Sequence, residues 1–259
     1  IVSRLIRDGK MNIVYLVGNG FDISFGLKTS PGDFLNSFIE SYSDEKENSP
    51  SSDLAKTIRE EGVENWGDFE RKIGEYSCCL GDDDLDDYLN QVNVLMAHLH
   101  SWLKKQDQTI NEEIFQKNSF GIISSLKDFR NALKPQEVDV VEKIRKNHNG
   151  ENWFYSIASF NYTSVLERLY KEAKKSSEII GDLDSSGRKH VLTNYIYVHE
   201  ALDGVIVTGV DNPAQVINDS FRENDQILEV LVKEKIQRIL ASDNDLRLSL
   251  IHISEPTRP

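Results

Sequence analysis

The sequence is short of several features that commonly announce a function. Its only cysteines, Cys78 and Cys79, are neighbours. Adjacent cysteines seldom bridge and match no zinc pattern, so neither a disulfide framework nor a structural zinc site is expected, and the pair reads as thiols of a reducing compartment. No apolar run approaches the roughly 20 residues that a membrane helix requires. No signal peptide follows Met11, because Asn12 to Val17 is too short and too β-like for its apolar segment. Positive charge is scarce: 30 Lys and Arg stand against 43 Asp and Glu, a formal net charge of −13. Such a surface repels a phosphate backbone, which disfavours nucleic acid as a partner held by bulk electrostatics. Internal repeats and low-complexity tracts are missing too. These absences point to a cytoplasmic protein without a membrane partner.

Familiar site fingerprints are also incomplete. Gly18-Asn-Gly20 lacks the third glycine of a dinucleotide fingerprint, Ile23 standing in its place. It is not a phosphate-binding P-loop either: Gly20 to Gly26 runs one residue too long, and Leu27 separates Gly26 from Lys28. The acidic cluster Asp82-Asp-Asp84 with Asp86-Asp87 lacks the spacing and glycine of a calcium loop. It reads instead as negative charge at the start of a helix. His98 and His100, two apart on a predicted helix, point to nearly opposite faces and make no metal pair. Sequence neighbours form no carboxylate–lysine cluster, which with the acidic balance argues against a nuclease.

What is present is a chain with 39% hydrophobic residues, enough for one large core or two modest ones. Asn12-Ile-Val-Tyr-Leu-Val17 is a short, β-branched apolar run ending on glycine, as a buried parallel strand reads. Three more strands are predicted: Trp153–Phe160, Asn194–Val198 and Val205–Thr208. Thr29-Ser-Pro31 starts a helix carrying Phe34, Leu35, Phe38 and Ile39 at helical spacing. From Leu54 to about Asn147 the periodicity is helical. Trp66, Phe69, Ile73 and Tyr76 form one apolar stripe, and Leu85, Leu89, Val92, Met96 and Leu99 another. Thr163 to Lys175 is a predicted helix with Val165, Leu166, Leu169 and Tyr170 inward, and Gln226 to Leu240 another. Cys78 and Cys79 sit among apolar sequence neighbours and read as inert. Strands alternating with helices predict an α/β fold with a Rossmann-like parallel sheet and a large helical insertion. The expected divisions are a nucleotide-binding core over 11–50 and 148–246 and an insertion over 51–147. Residues 1–10 read as a non-native or upstream leader. Residues 247–259 read as a translated-adapter tail, implying a chain cut near Asp245.

Each predicted strand hands over to glycine or a polar residue at its C-terminal end: Gly18 to Asp22, Asn161, His199, and Gly209 to Asp211. In an open parallel sheet those ends converge on the crevice where ligands bind. Glycines at 18 and 20 admit close backbone approach and positive φ. His199 also has a plainer reading as a strand-end histidine bonded to a carbonyl, and Asn161 one as the neighbour of a helix cap at Thr163. Trp66, Phe69 and Ile73 read as core, with Glu70 the residue of that stretch worth testing.

A wider pattern links these segments. Gly18-Asn-Gly-Phe-Asp22 with Gly26-Leu-Lys-Thr29 and Asp33-Phe34 resembles the N-terminal signature of the AbiH family of phage abortive-infection proteins. Trp66-Gly-Asp-Phe-Glu70, Phe160-Asn-Tyr-Thr163 with Leu166-Glu167, Tyr197-Val-His199 and Thr208-Gly-Val-Asp211 resemble its later segments, in family order. More distantly, the arrangement resembles sirtuin-like NAD-consuming domains. That resemblance implies NAD as ligand or substrate, with no metal. Gly18, Asn19, Gly20, Phe21, Asp22, Thr29, Gly209 and Asp211 would contact the cofactor, the glycines facing its pyrophosphate and Asp22 orienting a ribose or a loop amide. Asn161 would position the nicotinamide ribose or a water, and His199 would act as general base. The implied activity is that of an NAD glycohydrolase, a hydrolase serving antiphage defence. The alternative is a non-catalytic nucleotide-sensing or protein-interaction module. A phage-derived or host protein trigger and a homo-oligomer are the partners implied. The family's glycine after the histidine is Glu200 here, and nothing after Leu240 matches the family's last strand.

Overall fold

The computed structural model describes residues 11–42, 51–147, 151–176, 179, 189–198 and 208–233. In chain order the elements are β1 (Met11–Val17), α1 (Gly20–Ser24), α2 (Pro31–Tyr42), α3 (Ser51–Glu61), α4 (Trp66–Tyr76), α5 (Leu85–Asp107), α6 (Glu112–Lys127) and α7 (Pro135–Asn147). These are followed by β2 (Trp153–Ser159), α8 (Val165–Ser176), β3 (His190–Tyr197), α9 (Asp219–Arg222) and α10 (Asp225–Leu231). The class is α/β, mostly helical, with a three-stranded parallel sheet among the described residues. No helix among them is long and apolar enough to cross a membrane.

Contacts divide the chain into two units. One comprises the described parts of Ile1–Phe21 and Gln108–Tyr197, the other those of Asp22–Asp107 and Val198–Pro259. In the first unit the sheet runs β1-β2-β3, with β2 central. Met11, Ile13, Trp153, Tyr155, Ile157 and Leu192 cover one face with apolar side chains. Leu126 of α6 and Leu166, Tyr170 and Ala173 of α8 pack onto them. The inward positions expected for α8, Val165, Leu166, Leu169 and Tyr170, are all buried.

The third strand begins at His190, earlier than the predicted Asn194. A bulge hides its alternation: Tyr155 pairs with Leu192 but Ser156 with Asn194, skipping Thr193. The Thr193 hydroxyl replaces the lost ladder bond by donating to the Tyr155 carbonyl at 2.8 Å. An extra residue flips the faces of the strand positions after it. Tyr195 is thereby carried onto the core face, where it packs partly buried.

The second unit is built on helices. Ser30 caps α2: its hydroxyl accepts the Asp33 N–H at 3.1 Å and donates to the Asp33 carboxylate at 2.6 Å. Phe34, Leu35 and Phe38 of α2, Leu54 and Ile58 of α3, Phe69 and Ile73 of α4, and Leu95 and Leu99 of α5 are all at most 1% exposed. Each such side chain contributes about 1.5–3 kcal/mol by leaving water. The surface ion pairs of Arg71 with Asp68 and Glu75 are worth far less, so apolar packing holds these helices. The buried stripe of α5 differs from the predicted one. Tyr88, Val92, Leu95 and Leu99 face inward, while Leu85, Leu89 and Met96 are half-buried. Tyr88 sets that rotation: its ring stacks on Phe221 and its hydroxyl donates to the Ile73 carbonyl at 2.7 Å.

The predicted fourth strand falls largely on 205–207, outside the described residues. Val210 forms a parallel bridge with Val232. That bridge interrupts the predicted helix Gln226–Leu240 at Val232. Helix α10 ends at Leu231 because Val232 turns extended (φ −93°, ψ 110°) to meet Val210. Residues 234–240 lie outside the description.

Candidate functional site

In the first unit the strand register brings two of the predicted segments side by side. Val17 pairs with Ser159, and Ser159 with Tyr197, so the three strands end level. The β1–β2 ladder continues one step further, through the Phe160 N–H to the Val17 carbonyl at 2.8 Å. Gly18-Asn19-Gly20 and Asn161 therefore leave from neighbouring strand ends. Asn161 is 2% exposed, and its backbone N–H donates to the Ser159 hydroxyl at 3.2 Å. Phe21 packs against the sheet core.

The positive φ expected of the two glycines is not found. Among the described residues, positive φ belongs to Gly26 (83°), Gly62 (78°) and Gly209 (139°), not to Gly18 or Gly20. A Cβ added at Gly18 or Gly20 would meet nothing within 4 Å. Neither backbone strain nor packing demands glycine there; what glycine leaves is open space over the turn.

The third strand ends at Tyr197, and His199 lies outside the described residues. Tyr197 donates its hydroxyl to the Glu167 carboxylate at 3.4 Å. Glu167 also pairs with Lys171 at 2.9 Å. Tyr197, at the end of β3, thus bonds a carboxylate that is itself paired with Lys171.

The remaining predicted residues belong to the second unit. Asp22 is 1% exposed, and its carbonyl accepts the N–H groups of Phe25 and Leu27. Thr29 is equally buried, and its carbonyl accepts the Trp66 indole N–H at 3.0 Å. Gly209 and Asp211 join a charge cluster. Glu70, 5% exposed, accepts the Thr208 hydroxyl at 2.9 Å, the Gly209 N–H at 3.4 Å and the Lys233 ammonium at 2.6 Å. Lys233 also reaches Asp211 at 3.0 Å. Burial pushes the Glu70 carboxyl above its ordinary value, against the opposing pull of Lys233. Lys233 is burdened by burial too, yet two carboxylates hold its ammonium above the ordinary lysine range. One cation serving two anions explains both directions: Lys233 gains from each, while the deeper Glu70 has only a share.

No sequence motif announces this carboxylate–lysine cluster, which tertiary contact alone assembles. Glu70 was visible as a charged residue in an apolar stripe. Lys233, 163 positions away, carries no local signal at all. Two further expectations meet the structure here. Cys78 and Cys79 are exposed, not enclosed by apolar neighbours. His98 packs among the rings of Phe34, Phe38 and Tyr42, and this burial lowers its pKa.

A family model described as "Bacteriophage abortive infection AbiH" matches residues 14–252. Searches of curated proteins and of solved structures gave no match. The matched span takes in the strand-end rim, the buried Glu70 cluster and most of both units. The chain therefore belongs to the AbiH family of bacteriophage abortive infection proteins.

Proposed function

We propose that the C-terminal rim of the β1-β2-β3 sheet is a nucleotide pocket of Rossmann-like, sirtuin-like character, and that the protein acts in antiphage defence by hydrolysing NAD there. The observation that carries this reading is the level ending of the parallel strands, Val17 beside Ser159 beside Tyr197. Ligands of open α/β sheets lie at that edge. The open turn at Gly18 and Gly20 offers room for a pyrophosphate, with Asn19, Phe21 and Asp22 in the same segment. The buried Asn161 supplies a carboxamide to orient a ribose hydroxyl or a water. His199, two residues beyond the end of β3, is the general base. Cleavage of the nicotinamide bond passes through an oxocarbenium-like state, which a positioned nucleophile and an imidazole titrating near neutrality both favour. Thr29, Gly209 and Asp211, expected at a ligand from family resemblance alone, belong to the second unit and carry no part of this reading. Depleting NAD during infection would halt growth, and this requires a cytoplasmic protein.

The test is nicotinamide release from NAD, followed chromatographically. General-base loss costs about 10²–10⁴-fold, so His199→Ala should reduce release by about 100-fold or more, and Asn161→Ala should abolish most of it while both variants stay folded. Saturable NAD binding without release would replace hydrolysis by sensing. Absence of both binding and release would remove the pocket.

A further inference from the structure

The short 3-10 segment Ser77–Cys79 follows α4 and is pinned on both sides. Ser77 is fully buried. Its hydroxyl donates to the Gly74 carbonyl at 2.6 Å and accepts the Asn218 N–H at 3.1 Å. The Asn218 side chain donates to the Leu80 carbonyl at 3.0 Å. On a strand, adjacent side chains would point to opposite faces. On this fixed turn both thiols are exposed and their sulfurs lie 3.4 Å apart.

We propose that Cys78 and Cys79 form a dithiol site for a soft, trivalent, pyramidal centre, the ligand class being an organoarsenic(III) hydroxide. With metal–thiolate-like bonds of about 2.3 Å, one atom shared by sulfurs 3.4 Å apart subtends an angle of roughly 95°. Pyramidal trivalent centres hold their bonds near a right angle. A tetrahedral ion would spread the sulfurs to roughly 3.8 Å and wants four ligands. Among the described residues, no group of three or more His, Cys, Asp or Glu is gathered to supply them. An organoarsenic centre needs only two ligands from the protein, since carbon supplies the third.

The chemistry balances without an oxidant. Two S–H and two As–OH bonds break, two As–S bonds form, and two waters leave. Arsenic stays trivalent. A peroxide-driven disulfide is less suited to the same pair. Adjacent Cα atoms sit about 3.8 Å apart, short of the roughly 4.4–6.8 Å span that disulfides use. The hydrogen bond with Cys79, then burial, then the charges of Cys79, Glu61 and Glu75 raise the Cys78 thiol above its ordinary value. That depletes the thiolate that attacks peroxide; in the condensation each departing hydroxide takes up a thiol proton as water, and no oxidant is consumed.

The experiment treats the intact protein with phenylarsine oxide and reads its mass. One adduct per chain is expected, stripped by 2,3-dimercaptopropanol and resistant to excess glutathione. Losing the chelate should weaken capture by about 100-fold in Cys78→Ser and equally in Cys79→Ser. Both substitutions are at exposed positions, and circular dichroism verifies that the fold is kept. No adduct, an adduct that persists in both serine variants, or one that glutathione removes would each overturn the site. So would a loss of two hydrogens under peroxide with no arsenical capture.

Discussion

Lys233 holds two carboxylates with one ammonium, and the value of each member depends on which groups its removal strands. Lys233→Met would strand the buried Glu70 carboxyl without its cation. Removing one partner of a buried pair costs about 3–5 kcal/mol. Glu70→Gln keeps an oxygen for the Thr208 hydroxyl and the Gly209 N–H and leaves Lys233 with Asp211, so it should cost only about 1 kcal/mol. The raised carboxyl of Glu70 agrees in sign: its ionised form is a burden to the folded state, and its loss is mild. Urea unfolding of the three proteins measures the ranking. If Glu70→Gln proved the more damaging, the shared-ammonium account would fail. At this scale the sequence announced Glu70 by placing a charge within an apolar stripe. It was silent on Lys233, because an ion pair formed through tertiary contact leaves no periodic trace.

Among the turns and helices, two glycines separate folding from function. At Gly209 the backbone is left-handed (φ 139°), and an added Cβ would collide with the Leu231 carbonyl oxygen. Gly209→Ala should therefore displace α10 and cost upwards of about 3 kcal/mol. At Gly20 an added methyl meets no atom of the protein within 4 Å. Gly20→Ala should leave stability within about 0.5 kcal/mol while cutting NAD affinity severalfold, because the methyl takes space assigned to the pyrophosphate. Thermal melts and an NAD titration read the two effects separately; unchanged NAD affinity in a folded Gly20→Ala variant would remove that turn from the pocket. Helices α2, α4 and α8 were legible from apolar spacing and, for α2, from the Ser30-Pro31 start. The start of β3 was not, since the bulge at Thr193 breaks the alternation by which a strand is recognised. Nor was the inward face of α5, whose mixed apolar spacing allowed two stripes until Tyr88 found Phe221 and the Ile73 carbonyl.

Across the whole molecule, buried phenols set an upper pH limit. Burial raises Tyr15, Tyr88 and Tyr155 above their ordinary value of 10.0, with nearby Asp128 or tyrosine charges adding to it. Lys233 likewise stands above 10.5. Each group with a raised folded value holds its proton more tightly when folded. Its stabilising share is intact below the unfolded value and is lost as pH rises towards the folded one. Stability should fall steeply above about pH 10, as measured by urea unfolding at a series of pH values. Tyr88→Phe should make that fall shallower, and an unchanged slope would refute the role of Tyr88. What the sequence determined by itself was local: hydrophobic period, capping chemistry, the order of family segments, and an acidic balance, all set by residues within a few positions of one another. Tertiary structure alone decided which strand ends lie level, that Glu70, Asp211 and Lys233 meet, and that Cys78 and Cys79 turn outward together. Those outcomes depend on packing between distant segments, where burial and desolvation choose the partner and spacing along the chain carries no information.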